Sequence, residues 1–208
     1  MTLALSAVTK RFGRHTVLNQ VWLRARPGEL VGLVGRNGAG KTTTMRIAAG
    51  LVRPDSGTVE CEGAAPPAFD VRYFAGESTL PARVRAAAWA SLFGVEEVER
   101  RRIGRLSRGS RQALGLRSVL GRPGADLLLL DEPWEGLDPA ASRWLTDRLA
   151  VLKGEGVGGV ISSHRLHDLA GVCDRFVFLR DGRSHAVQTG SLDGAVVERL
   201  LAEFDRHA

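Results

Sequence analysis

The sequence contains few cysteines, few aromatic residues and no long apolar run. Its two cysteines, Cys61 and Cys173, form no CxxC pair, which excludes a disulfide scaffold or zinc ribbon and is typical of a reducing compartment. Aromatic residues make up 6% of the 208 residues, too few for a platform that stacks nucleic-acid bases. No apolar run approaches the ~18 residues of a membrane span, and Lys10 and Arg11 follow the N-terminus too closely for a signal peptide. We therefore expect a cytoplasmic chain that binds no nucleic acid.

Lysine is also scarce, although the chain is basic. Lys and Arg number 29 against 23 Asp and Glu, a net charge of +6, and the only lysines are Lys10, Lys41 and Lys153. Scattered arginines are more typical of a solvated surface than of a nucleic-acid or membrane contact. With 44% hydrophobic residues, the chain is long enough to bury its own core.

One of the three lysines lies in a glycine-rich motif. Residues 29–35 are apolar and predict a buried strand, residues 44–49 predict a helix, and residues 35–43 between them match GxxxxGK[ST]. Backbone N–H groups of such a loop bind phosphates, a lysine reaches the β- and γ-phosphates, and the following hydroxyl binds Mg²⁺. The predicted nucleotide ligands are Gly35, Asn37, Gly38, Ala39, Gly40, Lys41, Thr42 and Thr43, with Thr42 also a metal ligand.

Two adjacent acids follow a second apolar strand. Residues 125–133 supply a predicted buried parallel strand that ends in two adjacent acids, Asp131 and Glu132. Ligands of open α/β sheets bind at the carboxyl ends of strands, so both acids are predicted to share the crevice of the phosphate loop. Asp131 suits a Mg²⁺ ligand acting through water, and Glu132 suits a general base that activates water.

Further motifs follow a recognisable order. LSRGS at 106–110 opens a predicted helix, EGLD at 135–138 follows the acids, ISSH at 161–164 ends a β-branched strand, and Phe12 lies in a KRFG segment. With these motifs the chain resembles the ATP-binding-cassette ATPases, with LSRGS at the signature, EGLD at the D-loop, His164 at the switch histidine and Phe12 at the aromatic A-loop position. The resemblance implies ATP and Mg²⁺ as cofactors. It adds to the site Phe12, Ser107, Gly109, Asp138 and His164, the last of these acting with Lys41 and Glu132 in catalysis.

Three of these residues have a structural alternative when each is considered alone. Phe12 could be a half-buried strand residue. Ser107 could be a helix N-cap, a role that is compatible with anion binding. His164 could be a satisfied histidine at a strand end.

The sequence departs from the family pattern in several places. No glutamine follows residues 72–74, where the Q-loop is expected. Glu77 is the nearest polar substitute and is either a candidate metal ligand or a solvated turn glutamate. Arg108 and Ser110 replace the commonest signature residues, and Trp134 replaces a small polar residue. The helical subdomain, placed at about 77–119, is short, with one apolar helical stretch at 84–93.

We expect residues 1–208 to form one α/β domain. It combines a P-loop NTPase core, a mostly parallel sheet, an antiparallel N-terminal β lobe and a shortened helical subdomain. The resemblance implies a head-to-tail dimer of two copies that powers a separate permease at the cytoplasmic face of the membrane. A non-transport ATPase of the same superfamily is the main alternative. A GTPase or small-molecule kinase is less favoured, because no Asn-Lys-x-Asp motif is present and a kinase would not explain LSRGS together with His164.

Overall fold

The computed structural model describes residues 1–61, 71–75, 102–121 and 124–187. The strands in these ranges are β1 (Leu3–Phe12), β2 (His15–Ala25), β3 (Leu30–Val34), β4 (Ser56–Cys61), β5 (Val71–Phe74), β6 (Leu127–Asp131), β7 (Gly158–Ser163), β8 (Arg175–Arg180) and β9 (Arg183–Val187). The α-helices there are α1 (Lys41–Ala48), α2 (Arg108–Leu120), α3 (Pro139–Gly154) and α4 (Leu166–Ala170), and Ile103–Arg105 is a 3-10 turn. Among these helices, none has the length and apolar character required to cross a membrane.

The smaller sheet is antiparallel, with strand order β2-β1-β4. The alternation of Val21, Leu23 and Ala25 predicts that one face of β2 is buried, and all three side chains are buried in the core. Strand β4 has no counterpart in our sequence expectations. Its first three residues are exposed, so it lacks the apolar pattern that identifies a strand, and its place is set by pairing with β1.

The larger sheet has the order β5-β6-β7-β3-β8-β9. Neighbouring strands are parallel from β5 to β8, and β9 is antiparallel to β8. Asp181 and Gly182 connect β8 to β9 with φ of 48° and 70°, as expected for a tight hairpin turn with two left-handed residues. The predicted mostly parallel sheet and the antiparallel N-terminal lobe are confirmed.

Apolar clusters cover both faces of the larger sheet. Alternate residues of β6 point to opposite faces, so that Leu128 and Leu130 join one cluster while Leu127 and Leu129 join the other. A central parallel strand covered on both sides needs a continuous apolar run. The four successive leucines of β6 therefore place the strand in the interior of the sheet.

The sequence of residues 139–152 predicts a helix, with proline suited to its first turn. Helix α3 confirms this prediction and ends two residues later, at Gly154. The helix expected after LSRGS is α2, and it begins at Arg108. The apolar stretch at 84–93, an amphipathic helix predicted at 191–207 and most of the expected helical subdomain lie outside the described residues, as does Glu77.

The topology brings three functional segments to one edge. Strand β7 lies between β6 and β3, and parallel pairing aligns their carboxyl ends. The glycine-rich loop follows β3, Asp131 ends β6, and His164 follows β7. The candidate ligands from these segments therefore face one crevice.

Candidate nucleotide site

The loop at 35–40 connects β3 to α1 and depends on glycine at several points. Gly38 and Gly40 have φ of 85° and 102°, a region that side chains with a Cβ rarely adopt. A Cβ on Gly35 would lie 2.5 Å from the carbonyl oxygen of Leu179 in β8. Larger residues at these positions would displace the loop. With glycine there, the backbone of the loop can approach an anion closely.

Lys41 is the first residue of α1, and its ammonium lies inside the loop. The side chain is 6% exposed, and Nζ donates to the carbonyl oxygens of Gly35 at 2.6 Å and Arg36 at 3.3 Å. The same Nζ lies 3.2 Å from Oε1 of Glu132. A buried cation at a helix N-terminus forms an anion site, since the helix dipole adds to its positive charge.

Glu132 lies directly after β6 in a left-handed backbone conformation, with φ of 48°. Its Oε2 accepts a hydrogen bond from the backbone N–H of His164 at 3.3 Å and lies 3.0 Å from the Nδ1 of the same histidine. Its Oε1 is buried and has no hydrogen-bond partner. Lys41 Nζ forms an ion pair with this oxygen but does not have the geometry of a hydrogen bond. The carboxylate is therefore held between a lysine and a histidine from two other segments.

Asp131 is 4% exposed, and its Oδ1 accepts a hydrogen bond from the hydroxyl of Ser162 at 2.5 Å. Burial raises the pKa of the nearby Tyr73 hydroxyl, the negative charge of Asp131 raises it further, and Arg46 partly offsets both. The exposed Thr42 hydroxyl group is at the start of α1.

These residues fit a magnesium ion. Mg²⁺ binds hard oxygen atoms and usually takes one or two protein ligands besides phosphate oxygens and water. Asp131, which is 4% exposed, and Thr42 supply such oxygens. The described residues contain no cluster of three or more His, Cys, Asp or Glu side chains that could hold a metal ion.

A cleft of about 670 Å³ opens beside the glycine-rich loop. Its lining comes from the β1–β2 hairpin, the loop and the β8–β9 turn: His15, Thr16, Val17, residues 36–39 and residues 179–182. Phe12 pairs across the hairpin with His15, and its ring is 53% exposed. The alternative that Phe12 is a half-buried strand residue is therefore wrong, because Phe12 is exposed. It lies at the hairpin that borders the cleft.

The signature and the D-loop contact each other within the chain. Ser107 caps α2, its Oγ accepting from the Ser110 N–H at 3.0 Å. Arg108 forms an exposed ion pair with Glu135 at 2.9 Å. A Cβ on Gly109 would lie 2.4 Å from the carbonyl oxygen of Gly136, so the two backbones are in close contact.

Asp138 ends the D-loop and caps α3. Its Oδ1 accepts from the Ala141 N–H at 2.8 Å. Asp138 and Ser107 are therefore both helix N-caps, as the sequence allowed for Ser107. Each lies at a helix N-terminus, a position that favours anions.

Comparison with known proteins identifies the family. A family model described as ABC transporter matches residues 18–135, more than half of the chain. The chain belongs to the ABC transporter family. It is therefore an ABC-type ATPase that binds ATP, with the α/β fold expected from its motifs.

Curated relatives of this ABC ATPase differ in their named transport roles. Phosphonates import ATP-binding protein PhnC 1 of Natronomonas pharaonis is 36% identical over 235 residues, covering 98% of this chain and 96% of the relative. The Nod factor export ATP-binding protein I of Burkholderia orbicola is 34% identical, covering 86% of this chain and 68% of the relative. These relatives are named as ATP-binding proteins, one for import and one for export.

Solved structures agree with the fold of this ABC ATPase. The ATP binding subunit of an ABC transporter superposes with a TM-score of 0.82 at 25% identity, covering 98% of this chain and 99% of the other. A cassette solved as a dimer with ADP and phosphate, MJ0796, has a TM-score of 0.77 at 19% identity. The second similarity supports the fold alone.

Two residues that contact the site of this ABC ATPase, Ser162 and Gln112, could not be predicted from the sequence. Ser162 donates to Asp131 and accepts from the N–H of Glu132 at 3.1 Å. Gln112, 3% exposed, donates its side-chain amide to the carbonyl oxygens of Glu132 and Pro133. Both lie within or beside motifs that were identified, but their partners are 20 or more positions away in the sequence, so spacing alone gave no signal.

Proposed function

We propose that this chain is the ATP-hydrolysing subunit of a transporter and that it powers a separate membrane permease through nucleotide-driven dimerisation. The observation that supports this most directly is the position of Glu132, whose carboxylate lies against Lys41 of the phosphate loop and against His164. Such a convergence of a phosphate-binding cation, a carboxylate and a histidine is suited to the hydrolysis of a phosphoanhydride.

The glycine-rich loop would bind the triphosphate of ATP. Its N–H groups and the start of α1 receive the phosphates, with Lys41 neutralising the β- and γ-oxygens. Thr42 and Asp131 would hold Mg²⁺, which when bound offsets phosphate charge. Phe12 would stack on the base, since its exposed ring lies beside the hairpin that borders the cleft.

Glu132 would act as the general base. A carboxylate accepts a proton from the attacking water, and the adjacent His164 orients that carboxylate through contacts of its backbone N–H and its ring. Glu77 remains a further candidate metal ligand from the sequence.

Two copies of the chain would complete each site head to tail. In the resembled family, the signature of one subunit closes over the ATP of the other. Ser107 and Gly109 lie at the N-terminus of α2, which favours phosphate, and Asp138 ends the D-loop, in close backbone contact with that signature. A second copy would bring these groups to its partner's γ-phosphate.

The domain organisation and location follow from the same proposal. Residues 1–208 would form one nucleotide-binding domain, with 77–119 as its small helical subdomain. The permease would hold it at the cytoplasmic face of the membrane. The named relatives include an importer and an exporter subunit, so this cassette architecture serves both directions of transport among its relatives.

Glu132→Gln tests both the base and the dimer. The amide cannot accept a proton from water, so hydrolysis should fall by ~10²–10⁴-fold while ATP binding remains. Multi-angle light scattering of this variant with ATP and Mg²⁺ should detect a shift from monomer towards dimer.

Lys41→Ala in the same Glu132→Gln background is the control, and it should stay monomeric because ATP binding is weakened. Hydrolysis by Glu132→Gln at the wild-type rate would refute Glu132 as the base. A persistent monomer at saturating ATP, with and without the permease, would refute the dimer.

A further inference from the structure

The backbone at Glu132 has an unusual conformation that requires support. A φ of 48° places a residue with a long side chain in the left-handed region, which residues other than glycine adopt only when the surroundings hold them there. On the amide side the support comes from β7, where the Glu132 N–H donates to both the carbonyl oxygen and the hydroxyl of Ser162, each at 3.1 Å.

On the carbonyl side the support comes from the signature helix. The side chain of Gln112, on α2, is 3% exposed. Its Nε2 donates to the carbonyl oxygen of Glu132 at 3.2 Å and to that of Pro133 at 3.3 Å. A primary amide has two N–H donors on one nitrogen, so one side chain satisfies two successive carbonyls of the turn.

We propose that Gln112 is a positioning residue for hydrolysis. By holding the two carbonyls, it keeps the Glu132 peptide in its left-handed conformation and thereby keeps the carboxylate between Lys41 and His164. Because α2 begins directly after Ser107, the same helix connects the signature to the carboxylate of its own chain. The proposal rests on the role of Glu132 as the general base.

The loss of these two hydrogen bonds has a definite chemical consequence. Without the Gln112 amide, the carbonyl of Glu132 keeps the N–H of Glu135 at 3.2 Å, but the buried carbonyl of Pro133 loses its side-chain donor. A buried carbonyl without a donor favours another backbone conformation that reaches a donor or water, and a rearrangement of this turn moves the Glu132 carboxylate. A displacement of about 1 Å at a reacting group lowers rates by ~10²-fold. ATP affinity should be retained, because the glycine-rich loop is part of a different segment.

The experiment compares purified full-length Gln112→Met with wild type. Methionine keeps the approximate length of the side chain but has no donor. We expect kcat for ATP hydrolysis to fall by ~10–100-fold, while KM and the affinity for ATP change by less than about threefold. Ser118→Ala is the matched control, since Ser118 is also buried on α2 and donates to Leu114 of the same helix, and its kcat should stay at the wild-type value.

Single-turnover measurements in the Glu132→Gln background separate positioning from a purely structural role. Gln112→Met should cause no further loss there, because the group that it positions is already inactive. If Gln112→Met fails to fold, Gln112→Asn retains the amide but shortens the side chain by one methylene, and the same loss of kcat is expected.

Three results would overturn the proposal: a wild-type kcat in the folded Gln112 variant, an equal loss in Ser118→Ala, or an equal further loss in the Glu132→Gln background. Wild-type hydrolysis by Glu132→Gln alone would instead refute the base assignment.

Discussion

Adding one methyl group at Gly109 tests the close contact between signature and D-loop. The Cβ of Gly109→Ala would lie 2.4 Å from the carbonyl oxygen of Gly136, and real Cβ contacts are essentially never shorter than 3.0 Å. The two backbones must therefore separate by roughly 0.6 Å or more. Gly109 has no left-handed φ, so the strain comes from this contact alone.

The expected effect is larger on hydrolysis than on folding. Overpacking of this kind costs about 1–3 kcal/mol of stability, which lowers Tm by about 2–12 °C for a domain of this size. A shift of the helix that presents Ser107 should lower ATP turnover by ~10–100-fold, because phosphate contacts depend on sub-ångström placement. ATP affinity should change little, since the Gly109–Gly136 contact does not involve the glycine-rich loop.

The assays are thermal denaturation, ATP binding and steady-state turnover, with ATP-induced dimerisation measured in the Glu132→Gln background. Gly154→Ala is the control: Gly154 ends α3 without a left-handed φ, and a Cβ there meets no atom within 4 Å, so stability should stay equal or rise by up to ~1 kcal/mol. Wild-type turnover and dimerisation in Gly109→Ala would refute the reasoning, because the contact would then be free to relax without consequence.

Three further predictions address the loop, the lobe and the core. Lys41→Ala should weaken ATP binding by at least ~10-fold in calorimetry, because it removes the buried cation that neutralises phosphate; unchanged affinity would contradict the anion site. The side chain of Lys10 and the backbone N–H of Arg11 lower the pKa of Asp55. The stability that this carboxylate contributes should therefore be present above about pH 5 and lost as the pH falls below about 4. The Tm difference between wild type and Asp55→Asn should shrink over that range. Trp134→Ala should destabilise the fold by about 3–5 kcal/mol in urea denaturation, since Trp134 is 5% exposed within the core.

The glycine-rich loop and the two acids could be predicted from sequence because the geometry of each depends on a short continuous segment. The glycine-rich loop follows an apolar strand and opens a helix, and each glycine has a backbone reason to be there. The acids at 131–132 end a strand of four leucines. Their approach to the loop could be predicted too, since the carboxyl ends of parallel strands meet at one edge.

The remaining parts depend on pairing between distant segments. The first three residues of strand β4 are exposed, and the strand is positioned by its pairing with β1. Its sequence therefore lacks the alternating apolar pattern that would predict a strand. The left-handed backbone of Glu132 has no local signal either, because a glutamate normally avoids that region. Its supports, Ser162 and Gln112, are 30 and 20 positions away in the sequence, and only the folded chain brings them together.

The contacts of α2 join the signature and the Glu132 segment in one packed unit. Gly109 packs against the carbonyl of Gly136, and one turn later Gln112 holds the carbonyls of Glu132 and Pro133. Both contacts therefore join α2 to the single stretch 132–136. Gly109→Ala forces the two apart, whereas Gln112→Met removes the bonds between them without adding volume. Loss of turnover in both folded variants, with ATP affinity retained, would locate the sensitivity in the placement of α2 against this stretch, because added volume and lost hydrogen bonds both act on that placement.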